Sequence, residues 1–411
     1  METELNLKPR GRSANPFRPG AGHPPPYLAG RSVEQDRFAE LLAQDIILEN
    51  LVLTGLRGVG KTVLLDTLRP LAAKAGWLWT STDVSESATV SEEALATRLI
   101  TDLSLLTSHI TLPGRERRRI GFQAGSERIN LALDHAMLRH LYDESPGLVA
   151  DKLKILLEFV WAKLADTKVR GLVIAYDEAQ NLSDRAESHQ YPLSLLLDVF
   201  QSLQKKGLPV MLVLTGLPTL YPKLVAARTF AERMFHVITL GRLSDKDSHD
   251  AILKPLKQHG WKLPADVTEE IIRHAGGYPY FLQFFGREVC DAWLRQIAMG
   301  HKPPKIHFPS IIHKLDNDFF AGRWSRATDR QRELLRVIAE LPGCDDEFIA
   351  AEVLAQSRKK GRKPISGSQL TQMLAKLADA GLVYRNGHGR YSFSVPLMGQ
   401  FIARQHEKRV V

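Results

Sequence analysis

Cysteine is scarce in this 411-residue chain: there are only Cys290 and Cys344, far apart and in no metal-ligand spacing. That argues against a disulfide framework or a cysteine-held zinc site and suits a reducing compartment. Also missing is any apolar stretch near the ~18 residues that a membrane-spanning helix needs. Met1–Gly30 lacks the apolar core of a secretory signal, being polar, basic and rich in proline instead. The expectation is a cytoplasmic protein with no membrane partner. Acidic charge runs short at one end: from His301 onward 19 Lys and Arg stand against 11 Asp and Glu, so nearly all of the net +9 lies there. A polyanionic partner for the C-terminal part is one consequence, and a merely basic surface is the other. An apolar content of 44% and a charged content of 25% suit a globular chain with an ample core. The length implies roughly two to four domains, and no internal repeat is visible.

What the chain does have is one octet, Gly55-Leu56-Arg57-Gly58-Val59-Gly60-Lys61-Thr62, which reads G-x-x-x-x-G-K-T. It follows the apolar run Leu51-Val52-Leu53 and opens onto Val63-Leu64-Leu65, so it belongs where a strand turns into a helix. Glycines let backbone N–H groups wrap phosphate oxygens, and the following helix points its positive end at the anion. Lys61 is expected to reach the terminal phosphates and the Thr62 hydroxyl to ligate magnesium. The pattern implies a bound nucleoside triphosphate with Mg2+.

Short apolar runs alternating with amphipathic stretches predict an α/β fold with a parallel sheet covered on both faces. Strands are expected at Trp77–Thr80, Leu172–Tyr176, Pro209–Leu214 and Phe235–Leu240, with a helix over Pro192–Lys206. The run ending at Tyr176 is followed by Asp177-Glu178, suited to hold the metal through a water (Asp177) and to polarise the attacking water (Glu178). The next strand ends in Thr215-Gly216, where the hydroxyl can orient that water or the γ-phosphate. The boundaries read as an extended proline-rich segment over 1–27, an ATPase core over 28–243 with a helical insertion at 110–165, a helical lid over 244–300, a linker over 301–324 and a final module over 325–411. Arg115, Arg117, Arg118 and Arg119 in the insertion read as a solvated basic loop.

This order resembles the AAA+ ATPases, in particular the initiator-like clade whose members carry a winged helix, and the resemblance extends over about residues 28–411. It implies ATP as the nucleotide, Gly55–Thr62 as Walker A, Asp177 and Glu178 as Walker B and Thr215 as sensor 1. It also implies an arginine finger reaching a neighbouring subunit, for which Arg233 is the first choice and Arg228 the second, and hence self-association. Leu28-Ala29-Gly30-Arg31 resembles the motif that clade places beside the adenine. The chain departs from the pattern after Gly277-Tyr278-Pro279, where Tyr280 stands in the place of the sensor 2 arginine and Arg287 lies further along. Arg287 could substitute, though not at the usual spacing, and the Gly-x-Pro resembles the lid motif of signalling (STAND-like) ATPases, in which the proline packs near the nucleotide.

The last module reads as three helices and a hairpin, the winged form of the helix-turn-helix. Its third helix is expected to bury Leu370, Leu374 and Leu377 and to turn Ser368, Gln369, Thr371, Gln372 and Lys376 outward, toward duplex DNA. Arg358, Lys359, Lys360, Arg362 and Lys363 just before it suit phosphates, as do Arg385 and Arg390 around the turn that holds His388. The expected function is an ATP-binding, DNA-associated switch. The alternative is a signalling ATPase whose winged helix docks a protein or autoinhibits.

Overall fold

The computed structural model describes residues 15–20, 22–112, 116–118, 126–128, 131–165, 167–300, 305–359, 365–387 and 389–410. The chain begins with α1 (Ser32–Leu42), β1 (Asn50–Gly55), α2 (Lys61–Lys74), β2 (Trp77–Asp83) and α3 (Glu92–Thr107). Four short strands follow, β3 (Thr111–Leu112), β4 (Glu116–Arg118), β5 (Ser126–Arg128) and β6 (Leu131–Ala132), then α4 (His135–Glu144) and α5 (Val149–Leu164). Next come β7 (Gly171–Asp177), α6 (Pro192–Lys205), β8 (Val210–Gly216), α7 (Leu220–Ala227), α8 (Ala231–Met234) and β9 (Phe235–Leu240). Helices α9 (Asp245–Gln258), α10 (Ala265–Ala275), α11 (Pro279–Ala298), α12 (Phe308–Leu315) and α13 (Ala321–Trp324) lead to the last elements. These are α14 (Asp329–Ala339), β10 (Phe348–Ile349), α15 (Ala350–Ser357), α16 (Gly367–Asp379), β11 (Val383–Gly387), β12 (Arg390–Phe393) and α17 (Met398–Val410). The chain packs as two compact units, one of Ser32–Thr54 and Leu64–Thr239, the other of Met1–Arg31, Gly55–Val63 and Leu240–Val411.

The first unit is built on a five-stranded sheet in the order β2-β7-β8-β1-β9, parallel at the β2/β7, β7/β8 and β8/β1 pairings. This is the α/β P-loop architecture expected. Both β7 and β8 are buried along their whole length, which is why they read as unbroken apolar runs. Helices cover the sheet, and three of them begin at an N-terminal signal in the sequence. The Ser91 hydroxyl accepts from Ala94 N at 3.1 Å ahead of α3, Asp134 from Met137 N at 3.0 Å ahead of α4, and Pro192 opens α6. Residues 110–165 are not wholly helical, because β3 pairs antiparallel with β6 and β4 with β5 before α4 begins. Arg117 and Arg118 therefore belong to a strand, while Arg115 and Arg119 lie outside the described residues.

The second unit departs from expectation in two places. Residues 308–324, expected as linker, are helical from Phe308, because Ile311, Leu315 and Phe320 find buried positions and Pro309 fits a first turn. Among the described residues before Arg31, 15–20 and 22–30 form no helix or strand, and the first of them are docked on α11. Asn15 Nδ2 donates to Arg287 O at 2.9 Å and to Asp291 Oδ1 at 2.7 Å, and Arg18 N donates to Gln283 Oε1 at 3.1 Å. Phe17 is 2% exposed. Its ring fills the space left by Gly286, where an added Cβ would lie 2.8 Å from the ring. The C-terminal residues form α14, α15 and α16 with an antiparallel sheet ordered β10-β12-β11, and α17 follows. Thr328 and Ser366 each close a capping box, with Gln331 and Gln369 respectively. Cys290 and Cys344 are buried free thiols, and no helix among the described residues is long and apolar enough to cross a membrane.

Candidate functional site

In the second unit the chain leaves β1 at Gly55, runs through Leu56–Gly60 and enters α2 at Lys61. Gly58 and Gly60 hold φ of +84° and +90°, a region where side chains are strained. At Gly55 contact is the stronger constraint, since a Cβ there would lie 2.5 Å from Leu240 O and 3.0 Å from Val59 Cγ2. Lys61 Nζ donates to the carbonyls of Gly55 and Leu56, both at 3.0 Å, which folds the ammonium over the loop. The first turn of α2 carries no acidic side chain, so the helix's positive end is not neutralised by its own sequence. Backbone amides, a lysine and an uncompensated helix N-terminus are the donor set a polyphosphate requires.

Two further residues brace this loop. Arg31, expected beside an adenine, is 7% exposed and donates through Nη2 to Val59 O at 3.1 Å and Gly241 O at 2.9 Å. Pro279 opens α11, and the next amide, Tyr280 N, donates to Gly58 O at 3.1 Å. That amide is one of the donors a helix N-terminus leaves without an intrahelical partner, so the loop and the expected lid helix satisfy each other. Arg287 lies 3.8 Å from Asp291, on the stretch of α11 that binds Asn15.

In the first unit, parallel register brings the C-terminal ends of β7, β8 and β1 to one edge, with Tyr176 opposite Leu214 and Thr215 opposite Leu53. Asp177 ends β7, is 3% exposed and accepts from Glu178 N through Oδ1 at 2.8 Å. Glu178 sits at φ +52°, a left-handed conformation that costs a non-glycine residue on the order of 1 kcal/mol. Its carboxylate is exposed and accepts a short hydrogen bond from Gln180 Nε2. Thr215 is fully buried, and its Oγ1 has no hydrogen-bond partner among the described residues. Asp177 offers the oxygen chemistry that suits magnesium. Among the described residues there is no group of three or more His, Cys, Asp or Glu that could hold a metal; magnesium commonly takes one or two protein oxygens and fills its shell with waters and phosphate oxygens.

Sequence reasoning passed over Gln180, which the run Asp177-Glu178-Ala179-Gln180 could have suggested. Besides holding Glu178, its Oε1 accepts from Leu217 N at 3.1 Å and its carbonyl accepts from Lys223 Nζ at 2.7 Å. Burial pushes the Lys223 ammonium below the usual lysine range. The two finger candidates differ. Arg228 grips Asp198 at 2.8 and 2.7 Å and donates to Ser194 Oγ at 2.8 Å, a pairing that raises its pKa. Arg233 on α8 is exposed and has no side-chain partner among the described residues.

On α16, Leu370, Met373, Leu374 and Leu377 are buried and Ser368, Gln369, Thr371, Gln372 and Lys376 are exposed. Several candidate contacts are already engaged: Gln369 closes the cap with Ser366, and Arg390 pairs with Glu347 at 2.6 Å. Arg385 also has an interaction of its own. Arg358 and Lys359 are exposed. Lys360, Arg362, Lys363 and His388 lie outside the described residues.

Comparison with known proteins bears on both ends of the chain. Residues 27–222 match the family profile described as AAA ATPase domain. Residues 317–402 match one described as a domain of unknown function (DUF8462). Among solved structures the chain is similar to the Walker-type ATPase PABY2304 of Pyrococcus abyssi, at 16% identity and a TM-score of 0.56, over 92% of this chain and 96% of that one. It is also similar to the Aeropyrum pernix ORC2 protein in its ADPNP–ADP complexes, at 14% identity and a TM-score of 0.53, over 98% and 99% of the two chains. The ADP form of ORC2 gives 13% and 0.51, over 94% and 97%. At these identities the likeness is one of fold. No curated protein matches the chain significantly. Residues 27–222 are thus similar to an AAA ATPase domain.

Proposed function

We propose that this chain, with its AAA ATPase domain, is a switch that binds and hydrolyses Mg-ATP and engages duplex DNA through residues 325–411, acting as a winged helix. The observation that carries the switch is the hydrogen bond from Tyr280 N to Gly58 O at 3.1 Å. A phosphate entering the loop reorients the amides of Gly58–Thr62 and therefore bears directly on the helix that opens at Pro279. Lys61 exchanges the carbonyls of Gly55 and Leu56 for the terminal phosphates, and Arg31 keeps the loop in place from behind. Thr62 and Asp177 would hold a magnesium ion. The ion, when bound, neutralises charge that develops between the β- and γ-phosphates. Glu178 polarises the attacking water and Thr215 orients it. Arg233 is the residue offered to a neighbouring copy.

The DNA part rests on Gln372 and Lys376 of α16, exposed and without a side-chain partner among the described residues, and on Arg358 and Lys359 before it. Binding to a labelled duplex should weaken as salt rises, with Lys359→Glu and Lys376→Glu together removing about two from the slope of log affinity against log salt. Fluorescence anisotropy measures this, and no binding at about 50–100 mM salt, with or without ATP, contradicts it. One observation favours the second reading, in which the C-terminal module restrains the lid or docks a protein. Arg242 pairs with Asp346, and Leu397 packs against Gly276, where a Cβ would lie 3.1 Å from Leu397 Cδ2. Under that reading Asp346→Ala raises ATP hydrolysis and DNA has no effect.

A further inference from the structure

Where an arginine was expected on α11 the chain has Tyr280, yet arginines gather at the loop from another direction. The Tyr280 ring stacks on Phe319 with centroids 5.0 Å apart, and Phe319 in turn lies under the Arg323 guanidinium, 4.4 Å from the ring centroid. Arg323 also donates to Phe319 O. It is half-buried, and burial together with the nearby charges of Arg57 and Arg326 lowers its pKa. Arg57 belongs to the phosphate loop itself. Among the described residues none of Arg57, Arg323 and Arg326 has a carboxylate partner within ion-pair distance. Three like charges converging without an acid are unfavourable until an anion joins them. Gly58, whose carbonyl accepts from Tyr280 N, is the neighbour of Arg57 in the one loop built to hold phosphate.

Resting on the nucleotide reading above, we infer that Arg323 contacts the terminal phosphates of the nucleotide held by Gly55–Thr62, the role that Tyr280 cannot fill. Of the three arginines it is the one fixed in place, by an aromatic face and a backbone carbonyl, so little side-chain freedom is lost when the phosphate arrives. Arg57 and Arg326 are exposed and supply field rather than geometry. The contact comes from the stretch between α12 and α14, so it couples the γ-phosphate to the chain that leads into the C-terminal module. ATP and ADP differ at this contact.

The test is titration of the full chain with fluorescent ATP and ADP analogues. Arg323→Met keeps the cover over Phe319 and removes the charge. It is expected to weaken ATP by about tenfold or more while ADP changes by less than about threefold, and Arg323→Lys should recover part of the loss. If Arg323→Met does not fold, Arg323→Gln is read in the same way. The inference is overturned if the neutral variant binds ATP as the native chain does, or if ATP and ADP weaken by the same factor. Lys61→Ala separates the two levels: a native chain that takes up no ATP, or a Lys61→Ala chain that binds it as tightly, defeats the nucleotide reading instead.

Discussion

Replacing Glu178 by glutamine is expected to leave Mg-ATP binding intact and to slow hydrolysis by about 10²–10⁴-fold, the usual contribution of a positioned general base. The substitution is nearly isosteric, and the amide oxygen at position 178 can still accept from Gln180 Nε2, so the turn after β7 keeps its shape. What disappears is the carboxylate that draws a proton from water. The backbone makes the same point: Glu178 holds φ +52°, strain that a glycine would relieve. Glu178→Gly is therefore expected to gain roughly 1 kcal/mol of stability by thermal or denaturant unfolding while losing hydrolysis. Single-turnover hydrolysis measured beside nucleotide binding separates the two effects. A glutamine variant that turns over at the native rate removes Glu178 from the chemistry.

The second large effect belongs to Arg233. An arginine supplied across a subunit boundary stabilises charge on the transferring phosphoryl group, and its removal costs on the order of 10³-fold in rate. Arg233→Ala is expected to show that loss only at protein concentrations and nucleotide conditions where the chain assembles, with ATP affinity of the single chain unchanged. Arg228→Ala is the contrasting control. Arg228 is held by Asp198 and Ser194, so its removal should lower stability by about 1 kcal/mol rather than turnover specifically. Rate against concentration, read beside light scattering, distinguishes them, and a chain that stays monomeric with Mg-ATP and loses nothing in Arg233→Ala contradicts the finger.

What the sequence made legible was local. The octet at Gly55 needs its glycines because of backbone conformation and a carbonyl at 2.5 Å from a would-be Cβ, and such constraints leave their mark on neighbouring residues. Strands β7 and β8 were readable because burial on both faces demands continuous apolar sequence, and α6 because Pro192 marks its start. Interactions between distant residues were not legible. Nothing around Phe17 announces that its ring fills the gap at Gly286, and nothing in Tyr280 foretells the Gly58 carbonyl its amide meets. The proline-rich stretch near 303–309 suggested a linker, and the buried partners that make Phe308 onward helical lie far away in sequence. Strand β10, two residues long, is too short for periodicity to resolve, whereas α17 carries Met398, Phe401 and Ile402 at helical spacing and was legible in principle. Separation in sequence concealed the step from Tyr280 through Phe319 to Arg323.

The most direct test is calorimetric titration of ATP with magnesium into the full chain and into Lys61→Ala. If the amides and lysine of Gly55–Thr62 hold the phosphates, the native chain saturates at one nucleotide per chain and the variant binds about 10–100-fold more weakly. Equal uptake by the two proteins would contradict the account at its foundation.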